Sequence, residues 1–237
     1  MGRHNTIAGR MASSAAAKAR LFTKLAREIM VTARAGSDLN SNSALRAAVA
    51  KAKDNSMPKD NIERAIKKGA GEMTGLHFEE VTYEGYGPSG SAIMIEVLTD
   101  NRNRTHPELR RIFQKHGGNM GEMGAVGWMF KKRGVFVIDS QKASEDKVME
   151  IGLEAGAEDI TTEDNFITVY TEVAHFAEVR EALLKSEIPF EKAGLELIPE
   201  NLVSLSGENA KIALDLVDKL EENDDVQNVY HNFDIQD

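Results

Sequence analysis

The sequence predicts an α+β protein of several units: an N-terminal three-helix domain followed by two ferredoxin-like α+β domains, one inserted in the other. Three observations predict it. Apolar residues keep the helical period through the first 75 residues, and the period changes to two after Gly75. Residues 134–199 spell β-α-β-β-α-β. The flanking segments, 76–133 and 200–237, each lack part of a covered sheet and complete one another. At 237 residues the chain exceeds one average domain, so each unit can bury a core.

From Ser14 to Ala35, with Gly36 as the stop, Leu21, Phe22, Leu25 and Ile29 fall on one helical face. Arg20, Lys24, Arg27 and Arg34 fall on the opposite face. Leu45, Ala48, Val49 and Ala52 mark a second helix starting near Asn42 or Ser43. The stretch KDNSMPKDNIERAIKKG, Lys53 to Gly69, supplies the third. Pro58 sits in a first turn, where a missing N–H is tolerated, and Asp60 complements the positive helix end. Ile62, Ala65 and Ile66 form a narrow apolar stripe, Glu63 and Lys67 an i,i+4 pair, and Gly69 the close. Lys59, Arg64 and Lys68 face out.

FEEVTYEGY and SAIMIEVLTD then read as strands joined by the turn GPSG. THPELRRIFQKHG reads as a helix with a Thr105/Glu108 capping box and Gly117 as the C′ stop, and VGWMF as a strand. GVFVID, SEDKVMEIGLEAG, Glu158 to Thr162, NFITVYTEV, AEVREALLKS and FEKAGLELIP give the strands and helices of the second α+β unit. The tail adds the helix GENAKIALDLVDKLEEN and the strand VQNVYHNFDI. Residues 76–133 supply only β-β-α-β, and the tail supplies the α-β they lack. The expected division is therefore a basic helical domain at 1–75, a discontinuous α+β domain at 76–133 plus 200–237, and an acidic insertion at 134–199.

The net charge of −9 hides a polarity along the chain. Residues 1–75 carry 14 Lys/Arg against 6 Asp/Glu, residues 76–133 carry 8 against 7, and residues 134–237 carry 7 against 25. The basic end suggests a polyanion partner for the first third. With no cysteine, disulfides, thiolate zinc sites and cysteine nucleophiles are excluded. No apolar run approaches a membrane span, so no membrane partner is expected. The first 27 residues are basic and Ser-containing, with no acid before Glu28, and so imitate a transit peptide.

Candidate phosphate contacts form two groups. Arg20, Lys24, Arg27 and Arg34 with Lys53, Lys59, Arg64, Lys67 and Lys68 make the first; Lys67 and Lys68 also fit simple complementation of a helix dipole. In TDNRNRTHPELRR, Arg102 and Arg104 in a loop and Arg110 and Arg111 on the next helix make the second, with surface pairing to Asp100 or Glu108 as the alternative. GGNMGEMGAVGW spaces Gly118, Gly121, Gly124 and Gly127 every three residues but matches neither a Walker nor a Rossmann loop, so a mobile loop is the default. His4, His77, His106, His116, His175 and His231 are scattered, and no catalytic residue, metal or cofactor is expected. Glu221, Glu222, Asp224 and Asp225 read as a solvated helix end, and Trp128 and Phe130 as core residues of a strand.

The chain resembles the YebC family of bacterial proteins through LFTKLAREI, MPKDNIERAIKKG, TYEGYGPSG, LTDNRNRT, GGNMGEMGAVGWMF and GVFVID. Members of that family are commonly labelled probable transcriptional regulators, and a mitochondrial relative is a translational activator of cytochrome c oxidase subunit I. The resemblance implies a helical domain plus two ferredoxin-like domains and a non-enzymatic, nucleic-acid-binding regulator of gene expression. It also implies a domain that begins at the first residues, hence no presequence and a cytoplasmic location. The family's Gly-His-Ser-Lys-Trp-like opening is replaced here by GRHNTIAGRMASSAAAKAR, so contacts carried by that run are in doubt.

Of the two activities implied, the residues favour translation at the ribosome, with ribosomal RNA or tRNA as partner, over promoter DNA. The 58–68 helix offers Lys and Arg without the amide set that reads base edges, and the acidic last segment would be repelled by a long duplex. A DNA-binding transcriptional regulator is the alternative. A phosphate-handling hydrolase resting on Arg102, Arg104 and the glycine loop is a remote third, lacking a nucleophile–base pair.

Overall fold

A computed structural model describes residues 15–71, 78–163 and 165–236. Residues 1–14, which hold most of the atypical opening stretch and His4, and the connector TGLH at 74–77, with His77, lie outside the described residues. Three helices come first: α1 (Ala15–Ala33), α2 (Ser43–Asp54) and α3 (Lys59–Gly71). Leu25, Ile29, Leu45, Val49, Ile62 and Ala65 make their common core, the faces expected from the 3.6-residue period. Asn42 caps α2 by accepting the Leu45 N–H at 2.9 Å.

Gly69 does not close α3, which runs two residues further to Gly71. It is instead the contact point with α1. A Cβ there would lie 2.3 Å from the Met30 carbonyl oxygen, so only glycine lets the two backbones approach this closely. Glu63 pairs with Lys59 at 3.7 Å rather than with Lys67.

Two antiparallel four-stranded sheets follow. The first, in the order β3-β1-β2-β9, contains β1 (Glu79–Tyr86), β2 (Ala92–Thr99), β3 (Asn119–Met120) and β9 (Val226–His231). One face is covered by α4 (Arg102–Lys115) and α7 (Gly207–Glu221), through Ile93, Ile95, Leu109, Phe113, Leu216 and Leu220. The tail strand pairs with β2, Ile93 opposite His231, so residues more than 130 positions apart share this sheet. VQNVYHNFDI breaks at Asn232, and its end, β10 (Phe233–Ile235), pairs in parallel with β8 (Val203–Leu205).

The second sheet has the order β5-β6-β4-β7, from β4 (Phe130–Asp139), β5 (Ala157–Glu163), β6 (Phe166–Thr171) and β7 (Lys192–Pro199). Helices α5 (Glu145–Glu154) and α6 (Phe176–Lys185) cover one face through Val148, Val179 and Leu183. This is the ferredoxin-like order expected from the sequence.

VGWMF is not a strand of the first sheet. Gly127–Met129 is a short 3₁₀ turn, and Phe130 already begins β4, paired with Pro199. The boundary expected at residue 133 therefore falls inside a continuous strand. The Glu200 N–H donates to the Met129 carbonyl at 2.9 Å, so the two chain crossings between the sheets touch. We propose that the insertion is residues 130–199 and that the rest of the α+β region forms one discontinuous unit.

Two outcomes test this packing. Gly69→Ala, which in an open helix would stabilise, should here cost about 1–3 kcal/mol by overpacking against Met30, read by thermal melting. Excising residues 130–199 and bridging Met129 to Glu200 with a short Gly-Ser linker should leave a soluble chain with a cooperative melt. Ending the chain after Asp139 should strip α7 from Ile93 and Ile95 and cause aggregation. A broad, non-cooperative melt of the excised chain would withdraw the proposed division.

Candidate nucleic-acid interface

The cationic stripe of α1 does not all face solvent. Helix α7 ends with carbonyls that lack helical partners and with acidic side chains, and α1 crosses that negative end. Lys24 Nζ donates to the Glu221 carbonyl at 3.0 Å. Arg27 donates to the Asp224 carbonyl at 2.6 Å, the Leu98 carbonyl at 3.3 Å and the Asp225 carboxylate at 3.0 Å. Burial pushes the Lys24 amine below its ordinary value, against the pull of Glu221. Arg20 and Arg34 are exposed; Arg20 lines a cleft of about 700 Å³ between α1, β7 and α7. Of the cluster expected as a solvated helix end, Asp225, only 5% exposed, is instead the countercharge of Arg27, whereas Glu222 and Asp224 are exposed.

Asp225 is the hub of this junction. Its carboxylate accepts from Thr105 Oγ1 at 2.6 Å, Thr99 Oγ1 at 3.0 Å and Arg104 at 2.7 Å, besides Arg27. Burial alone would raise its pKa, but the bonds from Thr105, Arg104 and Thr99 outweigh it and hold the carboxyl below its ordinary value. Thr105 therefore caps nothing. Helix α4 starts earlier, at Arg102, with Asn101 as the cap accepting the Arg104 N–H at 3.1 Å. Arg102 and Arg104 lie in its first turn rather than in a loop and are paired, Arg102 with Glu79 at 2.7 Å and Arg104 with Asp100 at 3.0 Å. Glu108 accepts from Asn223 at 3.0 Å.

Other expected contacts stand clear of these pairs. On α3, Lys67 and Lys68 are exposed and have no ion-pair partner among the described residues, while Arg64 bonds to Asn61 and the Asp60 carbonyl. Lys53 is exposed at the end of α2. On α4, burial of Thr105, Leu109 and Phe113 turns Arg110 and Arg111 outward, and neither is paired among the described residues. Arg110 lines a groove of about 270 Å³ with His106, Gln114 and residues 119–122.

The glycine loop is pinned, not mobile. Glu84 of β1 is buried, and its carboxylate accepts the N–H groups of Gly124, Val126 and Gly127, each at 2.7 Å. Gly124 takes φ +85°, which aims its N–H at that carboxylate at little steric cost. Burial would raise the Glu84 pKa; the three backbone N–H groups overcome it and lower the value. Phe130 is buried as expected, but Trp128 is 68% exposed, because it sits in the 3₁₀ turn and not on a strand. No group of His, Asp and Glu able to hold a metal occurs among the described residues. No described helix is long and apolar enough to cross a membrane.

Residues 2–72 match a family model described as the TACO1/YebC protein N-terminal domain, and residues 78–233 one described as the TACO1/YebC second and third domain. A probable transcriptional regulatory protein of Geobacter sulfurreducens is 52% identical over 99% of this chain and 96% of its own length. Another so named, from Halothermothrix orenii, is 50% identical over 93% of this chain and 88% of its own. The crystal structure of a conserved hypothetical protein from Aquifex aeolicus superposes with a TM-score of 0.85 at 44% identity, covering 95% of this chain and 94% of that one.

The Asp225 hub generates a pH signature. Its folded-state pKa lies below the ordinary value of 3.8, so the stability it contributes is fully present above that value and is lost as pH falls through the lower folded value. Asp225→Asn should cost about 3 kcal/mol at neutral pH, since it leaves the part-buried Arg27 without a carboxylate, while Arg104 keeps Asp100. The gap from the wild type should narrow below pH 3.8, read by denaturant melts across the acid range.

Proposed function

The chain belongs to the TACO1/YebC family, and from that premise we propose that it is a non-enzymatic regulator of gene expression that binds nucleic acid through phosphate contacts, acting on translation at the ribosome. The observation that carries the reading is the split among the cations. Those of α1 are partly consumed at the α7 junction, whereas Lys67 and Lys68 on α3 and Arg110 and Arg111 on α4 are exposed and have no ion-pair partner among the described residues. Unneutralised cations on rigid helices suit a polyanion. Helix α3 runs to Gly71, so Lys67 lies before the last turn and is poorly placed for mere dipole complementation.

RNA fits better than duplex DNA. Beside the exposed acids Asp60 and Glu63, the outward cations of α3 are Lys59, Arg64, Lys67 and Lys68, suited to phosphate rather than to base edges. The excess of 25 Asp/Glu over 7 Lys/Arg in residues 134–237 opposes a long duplex but fits a gap in a ribonucleoprotein. A second reading, a DNA-binding transcriptional regulator, is favoured by the relatives' name, probable transcriptional regulatory protein.

A triple Lys59→Gln, Lys67→Gln, Lys68→Gln variant separates these readings. Each lysine removed should flatten the slope of log K against log salt by about 0.7 on single-stranded RNA or about 0.9 on duplex DNA. Melting should move by only a few tenths of a kcal/mol. An unchanged salt slope on both nucleic acids would return α3 to a purely structural role.

A further inference from the structure

We infer that Trp128 is a stacking platform for an unpaired RNA base; the inference rests on the nucleic-acid reading above and specifies where bases, rather than phosphates, are met. Trp128 is the chain's single tryptophan and 68% exposed. Met123, at the tip of the same loop, is 94% exposed. Such side chains on a loose loop would fold back onto apolar surface, but this loop is held. The Glu84 carboxylate fixes three of its N–H groups, Tyr86 donates its hydroxyl to the Ala125 carbonyl at 3.0 Å, and Val126 is buried beneath it. The indole is oriented too, its Nε1–H donating to the same Ala125 carbonyl at 3.3 Å. A presented, preoriented aromatic face loses little freedom when a flat partner lands on it.

The surroundings choose the partner. Lys131 and Lys132 follow at the head of β4, both exposed; Lys131 pairs with Glu158 at 3.5 Å, and Lys132 has no ion-pair partner among the described residues. Arg110 and His106 line the groove that runs along residues 119–122, with Glu122 the one acid among the described residues of its lining. One indole and one thioether flanked by cations make no contiguous apolar patch of the kind a protein partner covers. They match a strand whose bases are free to stack and whose phosphates reach flanking cations, the usual recipe for single-stranded nucleic acid. Bases inside a duplex are already stacked and cannot reach the ring.

Because Trp128 is unique, its fluorescence reports this site alone. The full chain is titrated at low salt with dye-labelled single-stranded oligo(A) and with an RNA duplex of the same length, reading dye anisotropy and indole emission together. The expected result is quenching of Trp128 in step with anisotropy for the single strand and none for the duplex. Trp128→Ala should weaken single-strand affinity about tenfold with duplex affinity unchanged, and Trp128→Phe should recover part of the loss. Single-strand binding without quenching, or with the Trp128→Ala affinity unchanged, overturns the stacking site and leaves the nucleic-acid reading standing. No anisotropy change with either RNA or duplex DNA overturns both. Equal quenching by single-stranded DNA overturns the assignment to RNA.

Discussion

The arrangement of the helical unit on the rest of the molecule depends on one buried carboxylate. Asp225 sits in the turn between α7 and β9 and gathers donors from α1, from the end of β2 and from the start of α4. A buried charge is tolerated only when it is paired and its oxygens are bonded, and four donors satisfy it here. The direction of α1 follows, because Arg27 reaches Asp225 only if α1 crosses the negative end of α7. A second anchor acts from the opposite side: Arg180 of α6 grips Asp54 at the end of α2 with bonds of 2.7, 2.9 and 3.2 Å. The three-helix unit is thereby tied to both α+β sheets by guanidinium–carboxylate pairs, whose fork geometry fixes orientation as well as distance.

Much of the fold was legible because local period and connection length constrain it strongly. The helices of the first unit, the β-α-β-β-α-β order and the return of the tail to β2 all follow from patterns that a single chain displays. What was illegible depended on contacts between distant segments. Gly69 reads as a helix stop until Met30 is seen to lie against it. Thr105 matches a capping box by spacing, yet its hydroxyl is claimed by Asp225, 120 residues away. VGWMF has strand composition, but the turn that Glu84 stabilises takes its first residues and the second sheet takes Phe130.

The candidate interface was legible in the same uneven way. Residue type picked out the cations, but only the fold distinguishes those that neutralise the protein's own acids from those left over. Among the described residues, Lys24, Arg27, Arg102 and Arg104 belong to the former set, and Lys67, Lys68, Arg110 and Arg111 to the latter. The polarity of the chain has two uses at once: part of the basic end holds the acidic end in place, and the remainder faces outward. Glu84 left no mark, since it alternates with Glu80 and Thr82 on the polar side of its strand, and neither did Asp225, inside a run of acids.

The contact between Met129 and Glu200 governs how the molecule bears load. Because the chain leaves the first sheet and returns to it at nearly one point, tension at the C-terminal end acts first on β10 against β8 and next on the pairing of β9 with β2. Along the backbone the inserted unit hangs from that junction as a closed loop, and the Arg180–Asp54 pair ties it sideways to the helical unit. Backbone tension reaches β4 and β7 only after β9 peels away. A protein built this way yields in a set order under traction, its acidic unit last.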